Sequence, residues 1–229
     1  LASRMRSYER AIADFNRVLE LEPDNLQALM ARGVAYSELG QHGRALVDLD
    51  RAVALAPTSS DALQRRGLAR SRAGQERAAY EDYTKAIKLN PGNVDALVGR
   101  AGLEASRGEY ALAVADLDEA IKLAPDEAAA FYNRGFARFA LGEYARALDD
   151  YSVAVALDPR NARAFNNRCL VRAIAGHDLV RALADCDMAL KLSPVSLDVR
   201  ATRGFVYLKL GDPELALSEY DQLLEVDPN

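Results

Sequence analysis

The sequence predicts an all-α fold, a solenoid of antiparallel helical hairpins repeated every 34 residues. Three observations carry this. Seven prolines fall at Pro23, Pro57, Pro91, Pro125, Pro159, Pro194 and Pro228, with gaps of 34, 34, 34, 34, 35 and 34 residues. Glycine keeps the same period at Gly40, Gly74, Gly108, Gly142, Gly176 and Gly211. Between these markers, small and apolar residues recur three and four apart, which is the spacing of one helix face. A fixed internal period of this length marks a stack of near-identical supersecondary units.

Each element has its own warrant once the proline is counted as position 32 of its unit. Position 34 precedes the next helix and is Asn25, Ser59, Asn93, Glu127, Asn161 and Ser196; five of these six are good N-caps. Helix A then carries a small residue at position 8: Gly33, Gly67, Ala101, Gly135, Cys169 and Gly204. The glycine at position 15 ends helix A, where the chain needs a left-handed residue. Helix B shows one face at positions 20, 24 and 27. Position 20 is Ala11, Ala45, Ala79, Ala113, Ala147, Ala182 and Ala216, and position 24 is Phe15, Leu49, Tyr83, Leu117, Tyr151, Cys186 and Tyr220. Position 27 is alanine except for Val18 and Leu223 in the terminal units. Alanine at 20 and glycine at 8 let the two helices approach closely. The proline stops helix B, because a helix interior cannot use it.

This pattern resembles the tetratricopeptide repeat family, a 34-residue helical hairpin with small residues at 8, 20 and 27 and a late proline. The resemblance covers nearly the whole chain. It implies one right-handed superhelical solenoid over residues 1–229. The full repeats are 26–59, 60–93, 94–127, 128–161, 162–196 and 197–229. Residues 1–25 read as a partial repeat, the end of an earlier helix A followed by its helix B. Two departures stand out. Position 4 is never tryptophan but Leu29, Leu63, Leu97, Phe131, Phe165 and Arg200. The fifth repeat carries one extra residue in its turn, around His177–Arg181.

Composition narrows the function classes. The chain has 229 residues, half of them apolar, so the strip between neighbouring repeats can be filled. The net charge is −5, which argues against nucleic acid as the main partner. No run has the apolar length of a membrane span, so membrane insertion is not expected. No signal-peptide pattern opens the sequence, which by itself says little about compartment; the compartment is left open, with a cytoplasmic setting favoured. Cys169 and Cys186 sit at core positions and read as free buried thiols in preference to a disulfide or redox pair. His42 and His177 fall in turns and read as surface residues. No Cys/His cluster has zinc spacing, no glycine-rich phosphate loop follows a strand, and no catalytic constellation stands out. The expectation is a non-enzyme with no catalytic residue, no metal and no cofactor.

Two charged ladders run through the repeats. Position 7 is Arg32, Arg66, Arg100, Arg134, Arg168 and Arg203. Position 23 is Asp14, Asp48, Asp82, Asp116, Asp150, Asp185 and Glu219. In a hairpin that turns near position 15, these two positions lie opposite one another. The expectation is structural: Arg–Asp pairs within or between repeats that hold the hairpins in register, as arginine's planar fork suits. The competing reading is a basic stripe for an acidic ligand, and the equal acidic ladder weakens it.

The family resemblance implies a ligand-binding concave face lined by helix A positions 2, 5, 6, 9, 12 and 13. In the first two repeats these include Gln27, Met30, Glu38, Asp61, Gln64, Arg65 and Arg72, a solvated charged face. In the third, Gly99 and Gly102 make either a soft joint or room for a close partner. In repeats four to six the lining turns aromatic and amide-rich. The candidate peptide-binding residues are Tyr132, Asn133, Phe136, Phe139, Asn166, Asn167, Leu170 and Phe205. The carboxylate clamp of some family members, lysine at 5 with asparagine at 9, is absent. Asn133 and Asn167 resemble two rungs of the asparagine ladder with which other members grip a peptide backbone. The function expected is a protein-interaction scaffold holding a partner peptide or helix in its groove. The alternatives are an assembly module that self-associates through uncapped ends, giving a homo-oligomer, or a regulatory part of a larger enzyme.

Overall fold

The computed structural model describes residues 2–176 and 178–226, and the turn histidine His177 and the last periodic proline, Pro228, lie outside them. Among the described residues the chain is all helix, with no strand. The helices are α1 (Ala2–Leu21), α2 (Leu26–Glu38), α3 (His42–Leu55), α4 (Ser60–Arg72), α5 (Glu76–Leu89), α6 (Val94–Ser106) and α7 (Tyr110–Leu123). They continue with α8 (Ala128–Ala140), α9 (Tyr144–Leu157), α10 (Ala162–Ala175), α11 (Leu179–Leu192), α12 (Leu197–Leu210) and α13 (Pro213–Val226). Even-numbered helices are helices A and odd-numbered ones helices B. Two compact units divide the chain, Leu1–Arg107 with α1 to α6 and Gly108–Asn229 with α7 to α13.

The punctuation works as its chemistry requires. The turn glycines are all left-handed, with φ from +68° at Gly176 to +82° at Gly211. Each helix B from α3 to α11 stops two residues before its proline. The remaining proline, Pro213, opens α13, where the missing N–H costs nothing. Asn25, Ser59, Asn93 and Asn161 each accept the backbone N–H three residues on, at 3.0–3.2 Å. Two caps differ from expectation. Glu127 does cap, accepting from Ala129 N at 3.3 Å, whereas Ser196 makes no side-chain cap bond.

In the hairpins that carry glycine at position 8, that glycine faces position 24. A Cβ at Gly33 would lie 2.7 Å from Leu49 Cγ; at Gly135 and Gly204 it would come within 2.9 Å of the Tyr151 and Tyr220 rings. Only hydrogen fits there, so glycine sets how closely helix A and helix B approach. Gly99 has the same explanation across a repeat boundary, since its Cβ would meet Tyr83 Cζ at 2.5 Å. Gly102 has open space around it. Around these contacts each unit builds a dry core of alanine, leucine and tyrosine. Tyr83 and Tyr151 are among the largest fully buried side chains.

Two sequence expectations are corrected. Residues 2–21 form one unbroken helix, not the end of a helix A, a turn and a helix B. The position that carries glycine elsewhere is Arg6 here, so nothing supplies the left-handed turn residue. Cys169 and Cys186 are not free thiols but a disulfide, with an S–S distance of 2.09 Å and Cα atoms 5.6 Å apart. The reason lies in the frame. Positions 8 and 24 approach closely at Gly33, Gly67, Gly135 and Gly204, and the fifth repeat places a cysteine at both, within bridging range. The extra residue of that repeat falls between Gly176 and the next N-cap, Asp178, which is itself left-handed at φ 52°.

Candidate functional site

Five arginines of the ladder pair with the acidic ladder inside their own hairpins. Arg32, Arg66, Arg134 and Arg168 donate from Nε and Nη2 to Asp48, Asp82, Asp150 and Asp185, at 2.6–3.2 Å. Arg203 pairs with Glu219. Arg100 belongs to the first unit and Asp116 to the second. The third arm of the guanidinium ties the preceding helix B. Nη1 of Arg66, Arg134 and Arg203 reaches Asp50, Asp118 and Asp187 at 3.0, 2.6 and 2.7 Å, and Arg32 reaches Asn16 at 2.7 Å. One arginine therefore bridges two hairpins.

Sequence reasoning missed both the second acceptor and a second donor one turn along helix A. Arg70 and Arg138 donate to Asp82 and Asp150 at 2.8 and 2.9 Å, and Arg172 pairs with Asp185. An arginine four residues after the first was the available signal. The hydrogen bonds that Arg32 and Arg66 donate to Asp48 and Asp82 hold both guanidiniums above the ordinary arginine value. Burial, against Asp185 and with Arg168, draws Arg172 below it. These carboxylates are almost wholly buried, so the arginines already have their anions.

All eight candidate peptide-binding residues lie in the second unit. Tyr132, Phe136, Asn166 and Asn167 border an open depression of about 580 Å³ between α8, α10 and the start of α12. Arg163 and Asp198 also line it, with small and apolar residues of α10 and the α11–α12 turn. Next to it, Phe136, Phe139, Leu170, Asn167 and Tyr151 enclose a smaller pocket of about 170 Å³. Phe136 and Asn167 line both, so the two hollows are neighbours. Phe136 is 41% exposed and meets the Tyr110 ring edge-on at 6.3 Å.

The candidates divide by what already holds them. Asn167 donates to the Tyr151 hydroxyl at 3.3 Å, so one of its N–H groups is in use. Burial drives the Tyr151 hydroxyl well above its ordinary value. Phe139 is half-buried, 5.7 Å from the Tyr144 ring and against the cluster of Ala147, Tyr151 and Val171. Tyr132 is half-buried, with its ring 6.0 Å from that of Tyr151. Phe205 packs on the core around the disulfide, under the Lys209 ammonium at 5.5 Å. Asn133 and Phe205 line neither hollow. Asn166 is the contrary case: its Oδ1 is buried with no hydrogen-bond partner. Arg163 and Asp198 stand at helix A position 2, already in the groove set, and their opposite charges were the signal that went unused.

The first unit offers a different face. Met30 is buried, and Arg72 pairs with Glu38 at 2.7 Å. Among the described residues no cluster of His, Cys, Asp or Glu could hold a metal, and no helix is long and apolar enough to cross a membrane.

Hairpins of 34 or 35 residues, closed by a small residue against helix B and tied to their neighbours by the staples of Arg66, Arg134 and Arg203, define a helical repeat array. The chain belongs to the tetratricopeptide repeat family. Models of that repeat match residues 1–66, 60–93, 128–161 and 197–229, and a TPR repeat model matches 103–142. The fold is similar to that of PilF from Pseudomonas aeruginosa, at 20% identity and TM-score 0.80, over 89% of this chain and 92% of that one. It is also similar to a chain of the Cut9–Hcn1 APC/C hetero-tetramer, at 18% identity and TM-score 0.84, over 100% of this chain and 45% of that one. A third likeness is to YrrB, described as a TPR protein with an unusual peptide-binding site, at 20% identity and TM-score 0.61, over 81% and 95% of the two chains. No curated protein is similar in sequence to this chain. The tetratricopeptide fold generally mediates protein–protein interaction.

Proposed function

We propose that this chain is a non-catalytic scaffold that holds a segment of a partner protein on the helix A face of its second unit. The observation that supports this most is the pair of adjoining hollows walled by Tyr132, Phe136, Asn166 and Asn167. Exposed aromatic side chains give large contact area with few rotors to freeze, and such residues dominate interface energies. Amides donate and accept at once, as a peptide backbone does. The likeness to a structure with a peptide-binding site points the same way, at the level of the fold.

The test is a pull-down with the whole chain, followed by mapping of the bound segment and titration of that segment. Phe136→Ala with Asn166→Ala is the informative double variant, because neither residue closes a core contact as Phe139 and Asn167 do. It is expected to lower affinity by about 2 kcal/mol or more, as hot-spot truncation does, with helical content unchanged. Full affinity in that variant removes the site.

A further inference from the structure

We propose that the second unit has a built-in joint between α9 and α10, where α10 to α13 slide as a body against α7 to α9 and so vary the width of the depression that spans them. This goes beyond the binding reading above and does not rest on it. It follows from one position of helix B.

Two residues after the acidic ladder, helices α3 to α11 carry Asp50, Thr84, Asp118, Ser152 and Asp187 in turn. This is the residue nearest the third arm of the next hairpin's arginine. Where it is aspartate, an ion pair closes the boundary. In the second unit Arg134 meets Asp118 at 2.6 Å and Arg203 meets Asp187 at 2.7 Å; in the first, Arg66 meets Asp50 at 3.0 Å. Where it is a hydroxyl, the arrangement changes. Arg100 donates to the neutral Thr84 oxygen at 3.5 Å. Arg168 spends Nε and Nη2 on Asp185 of its own hairpin, and Ser152 turns its hydroxyl back to Leu148 O at 2.7 Å. Among the described residues no ion pair joins α9 to α10.

What joins them is apolar packing and a neutral bond. Ala164 and Phe165 of α10 pack with Ala154 and Val155 of α9, and Asn167 donates to the Tyr151 hydroxyl at 3.3 Å. Apolar contact has no preferred direction. A guanidinium–carboxylate pair fixes both distance and plane. The α9–α10 surface therefore keeps its contact while it slides, which is the shear form of a closing motion. Neighbouring hairpins of an array are coupled only through their shared boundary, so motion collects where that coupling is weakest.

Both sides of the joint are locked. The Cys169–Cys186 disulfide holds α10 to α11, with Arg168 and Arg172 on Asp185 beside it. Asp187 ties α11 to α12. On the other side Asp118 ties α7 to α8, and Asp150 ties α8 to α9. A bend cannot be absorbed inside the fifth hairpin and falls on its boundary with the fourth. The depression takes Tyr132 and Phe136 from α8 and Asn166 and Asn167 from α10, so its two walls belong to the two bodies.

The test is nuclear magnetic resonance of the whole isotope-labelled chain in a weakly aligning medium. Residual dipolar couplings of α7–α9 and of α10–α13 are fitted to separate alignment tensors. In the parent the two magnitudes are expected to differ, because sliding averages one body against the other. Ser152→Asp places at the joint the residue that closes the neighbouring boundaries, and the ratio of the two magnitudes is expected to return to one. Asp187→Ser is the converse change: α12 and α13 are expected to separate from α10 and α11. Circular dichroism checks the helical content of both variants.

A single tensor that fits α7 to α13 in the parent overturns the joint, and that result needs no variant. A ratio in folded Ser152→Asp that stays at the parent value overturns it too, since the softness would then lie in the packing and not in the position 25 side chain. So does a folded Asp187→Ser in which α10 to α13 still share one tensor.

Discussion

Asp150 is the acceptor that Arg134 and Arg138 share, through contacts of 2.7 and 2.9 Å, and its side chain is only 3% exposed. Asp150→Asn keeps the shape and one acceptor but removes the charge. Two guanidiniums, 14% and 16% exposed, then face each other with Asp118 as their remaining anion, at 2.6 and 3.6 Å. Removing one partner of a buried ion pair costs about 3–5 kcal/mol. Asp118 and the partial exposure of the arginines bring the expectation to the lower end, about 3 kcal/mol. With a urea dependence of about 2 kcal/mol per molar, the unfolding midpoint falls by about 1.5 M. The assay is urea unfolding followed by circular dichroism, with the exposed neighbour Asp149→Asn as control, expected within about 0.5 kcal/mol of the parent. A loss below about 0.5 kcal/mol in Asp150→Asn would refute the structural role of the ladder. Unchanged stability together with altered binding of an acidic peptide would make it a ligand stripe.

Three further outcomes follow from separate features. Gly99→Ala and Gly102→Ala, three residues apart in α6, should differ in sign: the first drives a methyl into Tyr83 and costs about 1–3 kcal/mol, while the second meets open space and gains about 1 kcal/mol, read by thermal unfolding. Burial raises the Tyr83 and Tyr151 hydroxyls above their ordinary value of 10.0, so both stay neutral in the folded chain. Their contribution is complete below the unfolded value and is lost as pH climbs above it, because the unfolded chain sheds those protons first. Urea midpoints should fall above pH 10, and less steeply in Tyr83→Phe. Non-reducing peptide mapping should find Cys169 joined to Cys186, and reduction with a dithiol should cost about 3 kcal/mol for a loop of this length, with 17 residues of separation; an unchanged midpoint contradicts the link.

The repeat was legible because it is periodic. One proline or glycine in isolation is ambiguous, but seven prolines spaced by 34 or 35 residues report a fold in which every unit solves the same packing problem. The glycine turns, the N-caps at Asn25, Ser59, Asn93 and Asn161 and the Arg–Asp pairing follow from that frame. What the frame hid was local. Arg6 stands where the turn glycine should be, so α1 runs on as one helix. Cys169 and Cys186 were each read as a small hydrophobe, although the antiparallel register that paired position 7 with 23 also brings 8 and 24 together. In the groove, composition identified the aromatic and amide-rich helices. It did not separate Asn167, whose N–H serves Tyr151, from Asn166, whose oxygen has no donor.

Hydrogen–deuterium exchange of the whole chain with and without the mapped partner segment tests the groove reading most directly. Binding on the helix A face of the second unit predicts slowed exchange in α8, α10 and the start of α12, with α2 and α4 unchanged. Protection confined to α2 and α4, or to the helices B, would contradict it.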